Sequence, residues 1–171
     1  MIKYTNKDIV SFLEESNAIE NVYDNLSLAD AKDAWNYAFK NRNKLDFKKI
    51  LEIHRLLLHR QHPEIAGDIR TCDVMIGGEY KLFVSYQLLK EQVEGWLKGF
   101  KIDKKGIPKS QWENEIKKSH IAIEKIHPMQ DGNGRLFRLL MNIQRYNTGL
   151  PIHIIKEGDE QYEYYLWFKE N

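Results

Sequence analysis

The stretch Ile126-His127-Pro128-Met129-Gln130-Asp131-Gly132-Asn133-Gly134-Arg135-Leu136-Phe137-Arg138 decides the reading of this chain. Gly132, Asn133 and Gly134 fall between two segments of helical period, where glycine lets the backbone turn sharply and approach a ligand closely. The second helix points unpaired N–H groups into that turn, and its partial positive charge suits a phosphate. Arg135 and Arg138 share one face of its first turns. Cations there oppose the helix dipole by a few tenths to about 1 kcal/mol each. The placement makes sense if a run of phosphates satisfies the helix end and both guanidinium groups. Asp131 is a lone carboxylate beside this anion site, as a magnesium ion brought in with phosphates requires. His127 ends the preceding helix. Two neighbouring arginines should hold its imidazole neutral, able to accept a proton from an attacking hydroxyl.

Working outward, most of the chain has helical period. Thr5 and Asp8 form a capping-box pattern before Ile9, Phe12 and Leu13. Ser27 with Asp30 repeats the start signal before Leu28, Ala31, Trp35 and Ala38. Asp46 precedes Phe47, Ile50, Ile53, His54, Leu57 and Leu58, with Pro63 and Gly67 as the stop. Val74-Met75-Ile76, Gly77-Gly78 and Tyr80 to Val84 predict a short β-hairpin turning on the two glycines. Further helices are expected over Leu89–Leu97, Ile116–His127 and Leu136–Tyr146, the last stopped by Gly149 and Pro151. A final short helix should carry Tyr162, Tyr165, Leu166 and Phe168. The fold class is therefore all-α, mainly helical, with one β-hairpin, in a single domain over 1–171.

With 171 residues the chain can bury a core without staples. Its formal net charge of +1 gives no global case for nucleic acid or an anionic membrane as partner. The lone Cys72 excludes an internal disulfide and suits a reducing compartment. No apolar run approaches the roughly 18–20 residues of a membrane span, and no apolar leader opens the sequence, so a cytoplasmic location is expected.

Positions 127–138 resemble the motif of the Fic family: His, any residue, Phe, any residue, Asp or Glu, Gly-Asn-Gly-Arg, two residues, Arg. Met129 stands where Phe is usual, and an apolar, adaptable side chain should fill the same core pocket. The resemblance implies a mainly helical protein that transfers AMP from ATP to a Ser, Thr or Tyr hydroxyl of a protein substrate. It implies His127 as general base and Asp131 as the magnesium ligand. Asn133 and the N–H groups of Gly132 and Gly134 would hold α- and β-phosphate oxygens, with Arg135 on the β-phosphate and Arg138 on the γ-phosphate. The hairpin resembles the family's flap, where Val74, Met75, Ile76, Gly77, Gly78 and Tyr80 would pair with an extended target segment. Arg70 would anchor that flap. Family members often form dimers, so a homodimer is among the states to expect.

Ser16-Asn17-Ala18-Ile19-Glu20-Asn21 resembles the family's inhibitory pattern: Ser or Thr, three residues, Glu, then Gly or Asn. It implies that residues 5–22 form an inhibitory segment in which Glu20 pairs with Arg138 and takes the γ-phosphate's place. Other outcomes stay open at this level: removal of AMP, transfer of another nucleotide or phosphate group, or nucleotide binding without turnover. Arg135 and Arg138 could instead be a solvated face, against which their unfavourable dipole placement argues, and Glu20 taken alone is most simply a surface helix residue. His54, His59 and His62 fit no closed zinc pattern and suggest a helix-end cluster. His120 and His153 read as structural.

Overall fold

The computed structural model describes residues 3–73 and 84–169, together with the backbone of 75–76 and 80–81. Helix α1 (Asn6–Ala18) opens on the expected capping box: the Asp8 amide donates to Thr5 Oγ1 at 3.1 Å and the Thr5 amide to Asp8 Oδ2 at 2.9 Å. Helix α2 (Asn25–Asn41) starts earlier than Ser27 and Asp30 suggested. Asp24 is its cap, accepting from the Ser27 amide at 2.8 Å, while Asp30 lies fully buried beyond the first turn. An aspartate is as good a cap as serine, so the earlier of two overlapping signals prevails. Helix α3 (Phe47–Leu58) is capped by Asp46 as expected but ends ahead of Pro63.

Strands β1 (Met75–Ile76) and β2 (Tyr80–Lys81) pair antiparallel, Ile76 opposite Tyr80. That register leaves residues 77–79 between the strands rather than Gly77-Gly78 alone. Val74, Gly77 and Gly78 of the expected flap lie outside the described residues. A single 3₁₀ turn capped by Ser85 leads into α4 (Leu89–Lys98). Helices α5 (Trp112–Ile126), α6 (Asn133–Thr148) and α7 (Asp159–Leu166) follow.

Helix α6 is buried nearly all round, the pattern of a central helix. Leu136, Leu139, Leu140 and Ile143 meet Phe12 and Leu13 of α1, Ala31, Ala34, Trp35 and Ala38 of α2, and Ile50, Ile53, Leu57 and Leu58 of α3. Each such aliphatic side chain contributes about 1.5–3 kcal/mol by leaving water. This rigid centre carries the glycine-rich turn at its N-terminus. A smaller core joins Ile19, Ile116, Met141, Ile155 and Tyr164. On α7 the buried residue is Tyr164, not Tyr162 or Tyr165, which are exposed. The Tyr164 hydroxyl lies 2.8 Å from His120 Nε2, and this buried polar contact sets the helix face that turns inward. Among the described residues, no helix is long and apolar enough to cross a membrane.

Candidate active site

His127 terminates α5 in the left-handed region, at φ 48°. A non-glycine residue there is uncommon and is held by its surroundings. Here the His127 amide donates to Ile123 O at 3.1 Å, and its carbonyl accepts from Arg70 Nε at 2.8 Å. The Arg70 amide donates to Pro128 O at 3.0 Å, and Ile69 bridges Met129 in antiparallel fashion. Met129 is fully buried, as its apolar character required.

The turn after it is locked from inside. The Asn133 side chain accepts from the Met129 amide and donates to the Met129 carbonyl, both at 2.9 Å. Both functional atoms of that amide are thus engaged by Met129's backbone. The Asn133 side chain expected at the phosphates thus also closes the loop, and its amide nitrogen, donating once here, carries a second N–H. Gly132 has φ 73°, and a Cβ there would meet Leu58 Cδ1 at 2.8 Å, so glycine is required on two counts.

His54 is not part of a helix-end cluster. It is fully buried on α3, with Nδ1 accepting from the Gly67 amide at 3.0 Å and Nε2 2.9 Å from the Asp131 carbonyl. An acceptor at Nδ1 assigns the proton of the neutral ring to Nε2, which donates to Asp131. Burial pushes the His54 pKa down and keeps this tautomer. His54 therefore pins the backbone carbonyl of the residue that carries the lone carboxylate. The sequence signal was its place on the apolar face, between Ile53 and Leu57. His54→Ala is expected to remove two partly buried hydrogen bonds, to the Gly67 amide and the Asp131 carbonyl, at about 0.5–1.5 kcal/mol each, lowering the urea midpoint accordingly. An unchanged midpoint would remove this assignment.

The N-terminus of α6 has no side-chain cap, in contrast to α1, α2 and α3, and no acidic residue in its first turn. Arg135 and Arg138 are 5% and 2% exposed, which overturns the reading of a solvated face. Arg135 Nη1 donates to Gln61 Oε1 at 2.7 Å, and its buried Nε has no partner among the described residues. Arg138 reaches α1 instead. Its Nε donates to Ser16 Oγ at 3.0 Å, and Nη2 to the Ser16 carbonyl at 2.9 Å and to Glu20 Oε1 at 2.8 Å.

Glu20 lies beyond the end of α1, in the turn that Asn21 closes at φ 58°. The pattern's Gly or Asn at that position has a physical reason, since those residues accept a positive φ most readily. A Cβ on Gly134 would lie 2.5 Å from Glu20 Oε1 and 2.7 Å from Arg138 Nη1. The carboxylate thus rests directly over the start of α6. Its field acts on His127, Arg135 and Arg138 together.

His127 is half-buried, and its Nδ1 has no partner among the described residues. Its pKa is pushed below the ordinary value chiefly by burial, with Arg70 adding to the shift. The direction agrees with expectation, but Arg135 and Arg138 are not the cause. Behind Arg138 stands a buried layer absent from the sequence-based list. The Tyr164 ring lies 5.9 Å from the Arg138 guanidinium, and His120 Nε2 lies 3.9 Å from Glu124 Oε1. Burial raises the Glu124 carboxyl to about 7 and lowers His120 to about 3.

Asp131 is exposed, with Oδ1 accepting from the Gly132 amide at 2.6 Å and Oδ2 3.7 Å from His62 Nε2. Among the described residues no group of three or more His, Cys, Asp or Glu side chains is arranged to hold a metal. A lone carboxylate fits magnesium that arrives with a polyphosphate, not a resident ion. Toward the hairpin, the fully buried Arg70 side chain donates to the carbonyls of Cys72 and Val84, each at 2.8 Å. It ties both ends of the hairpin segment to the His127 carbonyl, which agrees with its expected part as anchor.

The Fic/DOC family profile matches residues 44–144. The protein adenylyltransferase Fic of Culex quinquefasciatus is 33% identical over 130 residues, 72% of this chain and 24% of that protein. The protein adenylyltransferase fic-1 of Caenorhabditis elegans is 32% identical over 128 residues, 74% of this chain and 24% of its own length. The chain spans about a quarter of the length of these curated relatives. In fold it is similar to a Fic domain containing signaling protein from Bacteroides thetaiotaomicron, with TM-score 0.77 at 18% identity, covering 95% of this chain and 71% of that one. Fic-1 from C. elegans follows with TM-score 0.67 at 22% identity, covering 95% and 55%. With the motif at the head of α6, the mainly helical frame and a profile match over more than half its length, the chain belongs to the Fic/DOC family.

Proposed function

We propose that this chain transfers AMP from ATP to a hydroxyl of a protein and that residues 5–22 restrain it. The observation that carries this reading is the uncapped start of α6, where a carboxylate from another segment already sits against buried Arg138, within the field of Arg135 and His127. An anion is what that place accepts. The naming of the curated relatives as protein adenylyltransferases supports AMP as the transferred group.

In this reading the N–H groups at the head of α6 and Arg135 take α- and β-phosphate oxygens, and Arg138 takes the γ-phosphate. Asp131 holds magnesium that enters with ATP, and the ion neutralises phosphate charge. The target hydroxyl attacks the α-phosphorus, its proton passes to His127, and the bond to the β-phosphate oxygen breaks to release pyrophosphate. The chain contributes positioning and charge neutralisation. The hairpin, anchored by Arg70, offers β1 or β2 for pairing with the target segment. Incubation with ATP and magnesium, followed by intact-mass spectrometry of the protein and a lysate, should reveal a gain of one AMP. Tight nucleotide binding with no covalent gain would replace this reading with that of a binding module.

A further inference from the structure

Arg135 is 5% exposed, yet among the described residues its side chain makes a single hydrogen bond, from Nη1 to Gln61 Oε1 at 2.7 Å. Its buried Nε makes none. Among the same residues no carboxylate forms an ion pair with it, whereas Arg138 has Glu20. A guanidinium fork has several more donors than that, so little fixes its plane. What fixes it here is one half-buried side chain from the turn after α3.

Gln61 is itself held. Its Nε2 donates to Ser27 Oγ at 2.9 Å, and the Ser27 hydroxyl donates to Asp24 Oδ2 at 2.6 Å. The order of donors is fixed along this chain of contacts. A guanidinium only donates, so Gln61 turns its oxygen to Arg135 and its nitrogen to Ser27. A carboxylate only accepts, so the Ser27 proton points to Asp24 and an oxygen lone pair to Gln61. Asp24 is ionised at neutral pH, because the Ser27 hydroxyl, then the Ser27 amide, hold its carboxyl below the usual range. Its charge is thus connected to Arg135 through two neutral groups. Ser27 is buried in the first turn of α2, a helix that packs on α3 and α6 through the main core. Glu20 holds Arg138. Residues 20–24 therefore reach both arginines, one directly and one through Ser27 and Gln61.

We propose that Gln61 is a positioning residue for the nucleotide: it sets the plane of Arg135 so that Nε and the unused donors meet the β-phosphate, with Ser27 and Asp24 as its support. Without the Gln61 oxygen the guanidinium is no longer ordered in advance, and the arriving phosphate must order it. Affinity for the β-phosphate then falls, while contacts to the rest of the nucleotide stay. A Gln61 that only steadied the turn after α3 would affect every nucleotide alike. The positioning role rests on the proposed function, which places Arg135 at the β-phosphate.

The test titrates ADP and AMP, with magnesium, into the full chain and follows amide NMR shifts; the two ligands differ by the β-phosphate alone. Wild type suits this measurement, because Glu20 occupies Arg138 and leaves Arg135 as the arginine for the β-phosphate. ADP should bind wild type more tightly than AMP. Gln61→Leu, of similar size, should weaken ADP about tenfold and leave AMP unchanged, the loss expected for a bond to a charged group. Ser27→Ala should weaken ADP about threefold, since the Ser27 amide still donates to Asp24 and only the support of Gln61 is lost. In an Arg135→Ala background Gln61→Leu should change nothing further, because residues that act through one contact are not additive. Unchanged ADP affinity in Gln61→Leu, equal weakening of ADP and AMP, or additive losses with Arg135→Ala would overturn the role. Were Gln61→Leu to unfold, Ser27→Ala would decide, and wild-type ADP affinity in that variant would overturn the role. Equal affinities for ADP and AMP in wild type would count against the proposed phosphate site itself. An ADP preference kept in full by Gln61→Leu would count against Gln61 alone.

Discussion

His127→Ala should lower AMP transfer by about a thousandfold while leaving ATP binding nearly unchanged. A positioned general base contributes about 10²–10⁴ in rate, and the other two candidate bases of the motif and the inhibitory segment are engaged: Glu20 with Arg138, and Asp131 with the Gly132 amide. Burial keeps the His127 pKa below 6.5, so the ring is neutral and ready as an acceptor at pH 7. The sign of the pH dependence follows. Transfer is flat as pH rises from 6.5, and falls only when pH drops through the folded value and the ring gains a proton. The left-handed backbone at φ 48° demands a control, because alanine there costs about 1–2 kcal/mol. His127→Asn tolerates that conformation, cannot act as a base and keeps the loop closed. Both variants should therefore bind ATP in calorimetry and fail in transfer. Retention of a tenth or more of wild-type transfer by either, at any pH above 6.5, would exclude His127 as the base.

The head of α6 was legible in the sequence because its features are local. A turn built on glycines, two arginines one helical step apart and a histidine before them lie within one stretch. Met129 was likewise predictable, since an apolar residue beside a glycine turn at a helix junction has only the core to enter. What escaped depends on contacts between distant segments. His54 meets the Asp131 carbonyl across 77 positions, and His120 meets Tyr164 across 44, separations that no periodicity reports. Asn133 is instructive in another way. An amide beside glycines suits a phosphate and also suits the closing of a loop, and the second use depends on the positions of the Met129 amide and carbonyl, which no local pattern reports. The downward direction of the His127 shift was legible, but its cause was not. Burial, which dominates, depends on the closed packing of the loop against Arg70.

Glu20→Gly should raise AMP transfer by about 30-fold, the second large effect. Arg138 is 2% exposed and its carboxylate partner 39% exposed by side chain, so the pair is neither a free surface contact nor a sealed one. Surface pairs contribute roughly 0–1 kcal/mol, whereas stripping the partner from a buried charge costs about 3–5 kcal/mol. An intermediate figure of about 2 kcal/mol in favour of the closed arrangement corresponds to the predicted factor. The substitution also frees the space within 2.5 Å of a Gly134 Cβ position, which the γ-phosphate needs if it is to meet Arg138. A stability readout separates this account from simple loosening of the fold. Without nucleotide the variant should melt earlier than wild type, because Arg138 loses its counter-charge while Ser16 still holds two of its donors. Saturating ATP should then stabilise the variant more than the wild type, since in the wild type part of its binding energy goes into displacing Glu20. Equal transfer by the two proteins, or equal stabilisation by ATP, would mean that Glu20 does not compete with the nucleotide. A variant that melts early, gains nothing from ATP and transfers no faster would reduce the Glu20–Arg138 pair to a structural contact.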